Sequence, residues 1–397
     1  MKISFLSYSD FKGGASLAAY SIFKSIKKKA LKINFLCINK KYKNSKVIYG
    51  NYFKIYLNIV RTLEKILIFF FLKKKFHQSL NLFKTNSDVF IREFNPDIIN
   101  IHWINRSMIS LREILNLNSK LVISLHDMWF LNSTQHYFEY IDKKKDFLSN
   151  HCWELKKKIL YNNKTFFIAH NLWMFKKFKK LFPKIKNKIF LCNYYPINTT
   201  LFKPRNKLIL RKKHGVPLNK RVVFFSAQDF SDQRKGFLYF KEIINTLGND
   251  KSLFFVSLGK KNFYFKNINN FKHFDFMPNQ NTSEIYSLSD IYICTSLIDN
   301  LPLTILEALS SGNVVFSFDN GGSKEVLKNI GYTFKFSEIK KMTEMIKNIK
   351  KEVLIKKGRS SRKFATKYLN KNKIGTTYSE IFNKVNKINV SNYNNPN

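Results

Sequence analysis

Two carboxylates, Asp299 and Glu307, are the first residues in this chain whose types and spacing suggest chemistry. Asp299 closes a polar loop, and Glu307 falls inside the run Leu301-Pro302-Leu303-Thr304-Ile305-Leu306-Glu307-Ala308-Leu309-Ser310-Ser311-Gly312. Pro302 suits the first turn of a helix and Gly312 a left-handed cap at its end. The spacing therefore predicts Asp299 in a loop, Glu307 about one turn into a helix, and the free N–H groups of the helix start turned toward the same place. Such an end attracts a phosphate. The same letters also describe an ordinary strand–loop–helix with an exposed Asp and a solvated Glu. Arg234-Lys235-Gly236 sets two cations side by side, suited to a place where negative charge develops, although a solvated basic turn is common in so lysine-rich a chain. His126 ends an apolar run in Leu125-His126-Asp127-Met128-Trp129, with His136-Tyr137 nearby. A lone histidine is more often structural than catalytic. Gly13-Gly14-Ala15-Ser16 lacks the side chains that would keep a ligand from the backbone.

These residues need a scaffold, and the chain supplies a regular one. Short apolar runs alternate with amphipathic stretches, the pattern of β-α units around a parallel sheet. Strands are predicted over 3–8, 32–38, 98–102, 121–125, 165–169 and 188–192, with a helix over Leu17–Lys28 after the glycine loop. Most end in a polar residue at the carboxyl edge, where open α/β sheets bind ligands. Pro196 and Pro204 break the periodicity and mark a junction. A second series then follows, with strands over 221–226, 252–259, 290–295 and 313–318. The last helix, 372–387, carries Ile374, Tyr378, Ile381, Phe382 and Val385 on one stripe and has to dock on something. The tail 389–397 is polar and expected to be loose.

At 397 residues the chain exceeds what one hydrophobic core supports, so two domains of about 180 residues each are expected. Apolar residues at 44% and 40 Phe exclude a disordered composition. The net charge of +44 invites nucleic acid or an anionic membrane. Abundant Lys, Asn, Ile and Phe with scarce Gly and Pro equally describe compositional drift. Basic residues spread along the whole chain without an RNA-binding signature argue against nucleic acid. Cys37, Cys152, Cys192 and Cys294 form no Cys-x-x-Cys pair, so neither a disulfide framework nor a zinc site is indicated. The opening residues read as a strand and not a signal peptide. The most apolar run, Ile66 to Leu72, lies between Lys65 and Lys73-Lys74-Lys75 and is too short to span a bilayer, which needs roughly 20 residues. It is expected to pack as a buried helix, with an anionic lipid surface as the other reading.

The segment Asp299 to Gly312 resembles the carboxylate motif of family 4 glycosyltransferases: an acid, seven residues, Glu, then Ala-x-x-x-Gly and an apolar strand. The resemblance implies that Glu307 holds the donor ribose hydroxyls and that Asp299 lies by the transferred sugar. Other pieces fall in the family's order along nearly the whole chain. Gly13-Gly14 is similar to its N-terminal glycine loop. Asn95-Pro96-Asp97-Ile98-Ile99-Asn100-Ile101-His102-Trp103 and Leu125-His126-Asp127-Met128-Trp129 resemble a subgroup that builds bacterial surface polysaccharides, which implies that His126 contacts the donor hexose. Arg234-Lys235-Gly236 resembles the diphosphate clamp, and Asp319-Asn320-Gly321-Gly322-Ser323-Lys324-Glu325 the turn that closes the donor site. Some positions depart from the pattern. Asp299 stands where Glu is usual, Ala227-Gln228-Asp229 where a Gly-Arg pair is frequent, Ser133-Thr134-Gln135 where a Gly-Gly-Cys precedes the His-Tyr pair, and Asn198 where Asp is usual.

The resemblance implies two Rossmann-like α/β domains facing across a cleft, the glycosyltransferase-B arrangement, with the C-terminal helix crossing back. An N-terminal acceptor domain would span 1–198 together with helix 372–388, and a C-terminal donor domain 199–371. The implied activity is retaining transfer of a sugar from a nucleotide-diphosphate donor to a saccharide or lipid-linked acceptor in cell-surface polysaccharide synthesis, without metal or other cofactor. His126 and Asp299 would orient the hexose. Gly13, Gly14, Arg234, Lys235, Asn300, Leu301, Leu303 and Glu307 would bind the donor. The expected setting is cytoplasmic, with an anionic membrane surface as an open partner and no nucleic acid. A sugar-nucleotide epimerase of the same architecture, or an inactive nucleotide-sugar-binding protein of the membrane surface, are the alternatives.

Overall fold

The computed structural model describes residues 1–26, 31–48, 51–72, 77–137, 146–260 and 268–389. The end of the first predicted helix at Lys28, the lysines 73–75 and the tail from 390 lie outside the described residues. The chain divides into two compact units, Met1–Asn193 with the chain from Ile374 onward, and Tyr194–Lys373. Each unit is an α/β layer structure built on one parallel sheet.

In the N-terminal unit the elements run β1 (Lys2–Leu6), α1 (Gly14–Ser25), β2 (Lys32–Cys37), β3 (Ser45–Val47), α2 (Asn51–Phe71), α3 (Ser87–Glu93), β4 (Ile98–Ile101), α4 (Leu111–Leu115), β5 (Lys120–Leu125), α5 (Phe147–Tyr161), β6 (Thr165–Ala169), α6 (Leu172–Leu181) and β7 (Ile189–Leu191). The strand order is β3-β2-β1-β4-β5-β6-β7, all parallel, with Ile3 opposite Ile33 on one side and Ile98 on the other. Strands buried on both faces read as continuous apolar runs, and β4 and β6 are buried throughout.

The second unit continues with α7 (Lys207–Lys213), β8 (Arg221–Asp229), α8 (Phe237–Leu247), β9 (Leu253–Lys260), β10 (Phe271–Phe274), α9 (Asn279–Leu288), β11 (Ile291–Cys294), α10 (Leu303–Ser310), β12 (Val314–Phe318), α11 (Ser323–Leu327), β13 (Tyr332–Phe334), α12 (Ile339–Asn348) and α13 (Lys351–Tyr368). Its order is β10-β9-β8-β11-β12-β13, again parallel. Phe225, Phe240, Ile243, Ile293, Val314 and Phe316 form its core, with the Phe225 and Phe240 rings stacked 4.5 Å apart. The final helix, α14 (Lys371–Lys387), buries Ile374, Tyr378, Ile381, Phe382 and Val385 against the first unit, where Phe382 meets Phe5 at 6.0 Å. Helix and sheet approach closely there, because a Cβ on Gly375 would overlap the carbonyl oxygen of Ser25.

Both sheets therefore have the Rossmann order, and in each the direction of strand addition reverses once, between β1 and β4 and between β8 and β11. Loops leaving the carboxyl ends at such a reversal diverge and open a crevice. The alternating pattern in the sequence foretold the parallel strands, while the short edge strands β3, β10 and β13 went unanticipated.

One expectation is corrected. The apolar run Ile66 to Leu72 is helical, as the last third of α2, but it is not a buried helix. Leu57, Val60, Glu64 and Leu72 face the protein, whereas Ile66, Phe69, Phe70 and Phe71 are exposed. A helix resting on a protein covers only one stripe of its circumference. A run that is apolar all round must leave its outer side in solvent.

Candidate functional site

Arg234, Lys235, Asp299 and Glu307 all lie at the β8/β11 reversal of the second unit. The loop leaving β8 turns through a short 3-10 segment, Gln233–Lys235, capped by Asp232, whose carboxylate accepts from the Arg234 N–H at 3.1 Å. The loop leaving β11 runs from Thr295 to Pro302. The two loops are joined directly. The Leu297 N–H donates to the Arg234 carbonyl at 2.7 Å, and the Thr295 hydroxyl donates to the Gly236 carbonyl at 2.8 Å. Gly236 has φ +66°, and a Cβ there would overlap the Thr295 carbonyl oxygen, so the approach of the loops depends on glycine.

The Lys235 ammonium donates to Asp299 Oδ2 at 2.6 Å, with both side chains mostly shielded. Arg234 is held by Asp232, its Nη2 donating to Oδ2 at 2.6 Å. Each cation thus carries a carboxylate that fixes its position before any ligand arrives, and charge held in place in this way costs little to reorganise. Asp299 is consequently not the exposed acid of an ordinary loop.

The helix α10 begins at Leu303 with Pro302 as its N-cap, one position earlier than expected for the proline, and no side chain caps it. Its first N–H groups are left for solvent or a ligand. Gly312, at φ +80°, ends the helix in the left-handed region as anticipated. Glu307 sits on this helix, partly buried. Burial pushes its carboxyl up to about 7, although the hydrogen bond from the Tyr286 hydroxyl works in the opposite direction. Tyr286 is fully buried, and its hydroxyl lies 3.3 Å from Ser226 Oγ, itself 3.1 Å from the Tyr292 hydroxyl.

Asn300 and Leu301 are buried, and Leu303 is half-buried at the helix start. The Asn300 carbonyl accepts from the Gly322 N–H at 2.7 Å, and the Asn320 amide donates to the Ser296 carbonyl. The turn after β12 is thereby packed on the loop after β11. Gly321, at φ +52°, allows this contact, since a Cβ there would overlap the Asp299 carbonyl oxygen. Tyr286, Asp232 and Thr295 join the motif residues without having been expected, whereas Asn320 belongs to the turn already singled out. Asp232 was open to detection as an Asx cap two residues before Arg234, whereas Tyr286 comes from another helix that only the fold brings in.

The N-terminal unit gathers its own cluster at the β1/β4 reversal and the end of β5. The Tyr8 N–H donates to the Trp103 carbonyl at 2.7 Å, joining the loops after β1 and β4. Asp10 is buried and accepts from the Lys41 and Tyr42 N–H groups, each at 2.9 Å. Gly13, at φ +90°, and Gly14 start α1, and a Cβ on either would meet open space. His126 directly follows β5, at the expected carboxyl edge, but it is one of three histidines. Asn100 Nδ2 donates to the Val122 carbonyl at 2.8 Å and to Ser124 Oγ at 3.1 Å, so its Oδ1 is left to accept from His102 Nε2 at 2.7 Å. Burial holds both His102 and His126 well below the usual imidazole range, so both rings are neutral. His102 Nδ1 must then accept from His126 Nε2–H at 2.7 Å, which makes Nδ1 of His126 an acceptor. The His126 ring stacks on His170, and the Tyr378 hydroxyl of α14 lies 3.2 Å from His170 Nε2 and 3.0 Å from Ser124 Oγ.

The next residue, Asp127, bonds His136 Nδ1 at 2.6 Å and accepts from the Trp129 N–H. Burial alone would raise its pKa, but His136 and these hydrogen bonds hold it below the usual carboxylate range. The following loop is fastened by Lys156, fully buried, whose ammonium donates to the carbonyls of Trp129, Asn132 and Ser133 at 2.6, 3.1 and 2.7 Å. Among the described residues no group of three or more His, Cys, Asp or Glu side chains is placed to hold a metal ion. No helix there is long and apolar enough to cross a membrane.

Comparison with solved structures supports the same fold. A glycosyltransferase from Rickettsia africae is 14% identical, with 98% of this chain and 99% of that chain covered and a TM-score of 0.66. Sucrose-phosphate synthase from Thermosynechococcus elongatus is 11% identical over 97% and 98%, at 0.69. The Anabaena protein HepE, solved with UDP-glucose, is 15% identical over 97% and 100%, at 0.65. At these identities the likeness is one of fold: two Rossmann-like domains of the glycosyltransferase-B type. No curated protein sequence matches the chain. Residues 206–367, which include Arg234, Lys235, Asp299 and Glu307, match the family model described as "Glycosyl transferases group 1", so the similarity to that family lies in the C-terminal unit.

Proposed function

We propose that this chain is a retaining, metal-independent hexosyltransferase of family 4 that moves a sugar from a nucleotide-diphosphate donor to a saccharide or lipid-linked acceptor, in surface-polysaccharide synthesis. The observation that carries this reading is the convergence of Arg234, Lys235, Asp299, Glu307 and an uncapped helix start at the one strand reversal of the C-terminal unit. Cations positioned by their own carboxylates suit a departing diphosphate, and the α10 N–H groups suit its oxygens. HepE, the Anabaena neighbour, was solved with UDP-glucose, which supports a nucleotide-sugar donor here.

In this reading Glu307, as a carboxylate, accepts the ribose hydroxyls, and Arg234 and Lys235 take up the charge developing on the diphosphate. Asn300, Leu301 and Leu303 shape the donor pocket through the loop and helix start. Lys235 exchanges part of its bond to Asp299 for a phosphate oxygen, which frees Asp299 to accept from a sugar hydroxyl. By the family resemblance, His126 would contact the donor hexose and the Gly13-Gly14 backbone would let donor or acceptor come close. No side chain in the cluster is assigned as a nucleophile. The diphosphate oxygen helps to deprotonate the incoming hydroxyl on the face the donor leaves, and its negative charge stabilises an oxocarbenium-like transition state. The reading sets the reaction in the cytoplasm, with an anionic membrane surface as an open partner.

The test is labelled-sugar transfer from UDP-, GDP- and dTDP-sugars to an extract of lipid-linked acceptors, with and without EDTA. The reading expects transfer that EDTA leaves unchanged and that Glu307→Ala reduces by about 100-fold or more, since a ribose anchor and its alignment are both lost. Release of altered sugar nucleotide without acceptor would point to an epimerase instead, and tight binding with no turnover to an inactive binding protein.

A further inference from the structure

Behind Glu307 a row of hydroxyl groups runs into the core of the C-terminal unit. Tyr286 comes from α9, Tyr292 from β11 and Ser226 from β8, so three elements meet there. Both tyrosines are buried, and their rings pack on Phe224 at 4.9 and 5.5 Å. Ser226 Oγ lies between them, 3.3 Å from the Tyr286 hydroxyl and 3.1 Å from the Tyr292 hydroxyl. The register of β8 with β9 breaks between Ser226 and Asp229, and such bulges re-aim side chains beside functional sites. Two contacts tie the row to α10: Tyr286 bonds Glu307, and Thr304 bonds Tyr292. Thr304 and Glu307 are three positions apart on that helix and share a face.

The protons in this row run one way. Burial pushes both phenols up, so each keeps its proton. The Ser226 carbonyl has no proton to give, so the Tyr292 hydroxyl, 3.5 Å from it, donates on the Ser226 side. Its oxygen is left to accept from Thr304. Ser226 then has its own proton for Tyr286, and Tyr286 has its proton for Glu307. An ionised carboxyl only accepts, so Glu307 closes the row in the same sense. Hydrogen bonds that point one way along a chain strengthen one another, and donation to a carboxylate favours its charged form. Burial of Glu307 works against that form. We propose that Tyr286 and Ser226 are positioning residues of the donor site, which hold the Glu307 carboxylate charged and in place for the ribose hydroxyls and act through Glu307 rather than on the ligand. The proposal rests on the assignment of Glu307 to the ribose, but the state of its carboxyl can be read without any donor.

The experiment follows the glutamate carboxyls of the full chain by carbon-13 spectra from pH 5 to pH 9 without ligand, with Glu307→Gln identifying the Glu307 signal. Binding of UDP-, GDP- and dTDP-sugars is measured by calorimetry on the same proteins. In wild type the Glu307 midpoint is expected at about 7. Tyr286→Phe keeps the ring and removes the hydroxyl, and should raise that midpoint by about one pH unit. Donor binding at pH 7 should then weaken about fivefold and recover most of the loss at pH 9, where the carboxyl is ionised in both proteins. Loss of packing alone would lower affinity equally at the two pH values. Ser226→Ala should shift the midpoint in the same direction by less. If Tyr286→Phe fails to fold, Ser226→Ala, which removes one oxygen from a half-buried residue, carries the test. A midpoint unchanged in the folded variants, or a binding loss that persists equally at pH 9, would overturn the proposal. Donor binding unaffected by Glu307→Gln would overturn the ribose assignment instead, and the ligand-free titration would still decide whether Tyr286 and Ser226 act on Glu307.

Discussion

Replacing Glu307 with glutamine removes a titrating proton while nearly keeping the shape, and the structure fixes what should follow. The carboxyl is raised from its usual 4.5 to about 7 by burial, so over that interval the folded chain holds a proton that the unfolded chain has released. A raised pKa contributes stability that is fully present below about 4.5 and is lost as pH rises through about 7. A shift of about 2.5 units at ~1.4 kcal/mol each gives ~3 kcal/mol lost by pH 8, and less than ~1 kcal/mol by pH 5. Partial solvent access to Glu307 makes these figures upper limits. Glutamine has no such loss and can still accept from the Tyr286 hydroxyl. The stability of Glu307→Gln relative to wild type should therefore rise by up to ~2.5 kcal/mol between pH 5 and pH 8, read from urea unfolding at both. The same variant should lose sugar transfer, as expected when a carboxylate is kept for function at a cost to the fold. A stability gap that does not change with pH would refute the assignment of the raised pKa to burial.

Further outcomes follow from other contacts. Lys156→Met leaves three carbonyls, those of Trp129, Asn132 and Ser133, without their donor, and should cost about 3 kcal/mol or more in a denaturant titration. His102→Phe removes the acceptor that fixes the His126 proton, so the His126 ring nitrogens should change tautomer in nitrogen-15 spectra while the melting temperature falls only modestly. Donor binding should tighten about tenfold between pH 6 and pH 8 if the donor selects ionised Glu307, as titration calorimetry would report. Gly236→Ala, which sets a methyl against the Thr295 carbonyl at φ +66°, should destabilise by more than about 1 kcal/mol.

The sequence carries the fold well because parallel strands buried on both faces must be written as apolar runs, as in Ile98–Ile101 and Val314–Phe318. Edge strands escape notice because only part of each is buried, as with Phe271–Phe274. Local signals place the site residues at the ends of their elements: Gly312 follows α10 and His126 follows β5. Pairings between distant residues are another matter. Lys235 and Asp299 are 64 positions apart, and Glu307 meets Tyr286 from a different helix, so no spacing encodes either contact. His126 reads as a single histidine, yet its protonation is set by Asn100 and His102 on the neighbouring strand, which only the register of β4 with β5 reveals. The exposed stripe of α2 was misread because composition reports how apolar a run is, but not how many of its sides have a partner.

The central claim is that Arg234, Lys235, Glu307 and the start of α10 take up a nucleotide-diphosphate sugar without a divalent ion. Titration of UDP-, GDP- and dTDP-sugars into wild type and Glu307→Ala, each in the presence of EDTA, tests it most directly. At least one donor should bind wild type in EDTA and weaken by about tenfold or more in the variant; binding that requires magnesium, or that the substitution leaves unchanged, would contradict the claim.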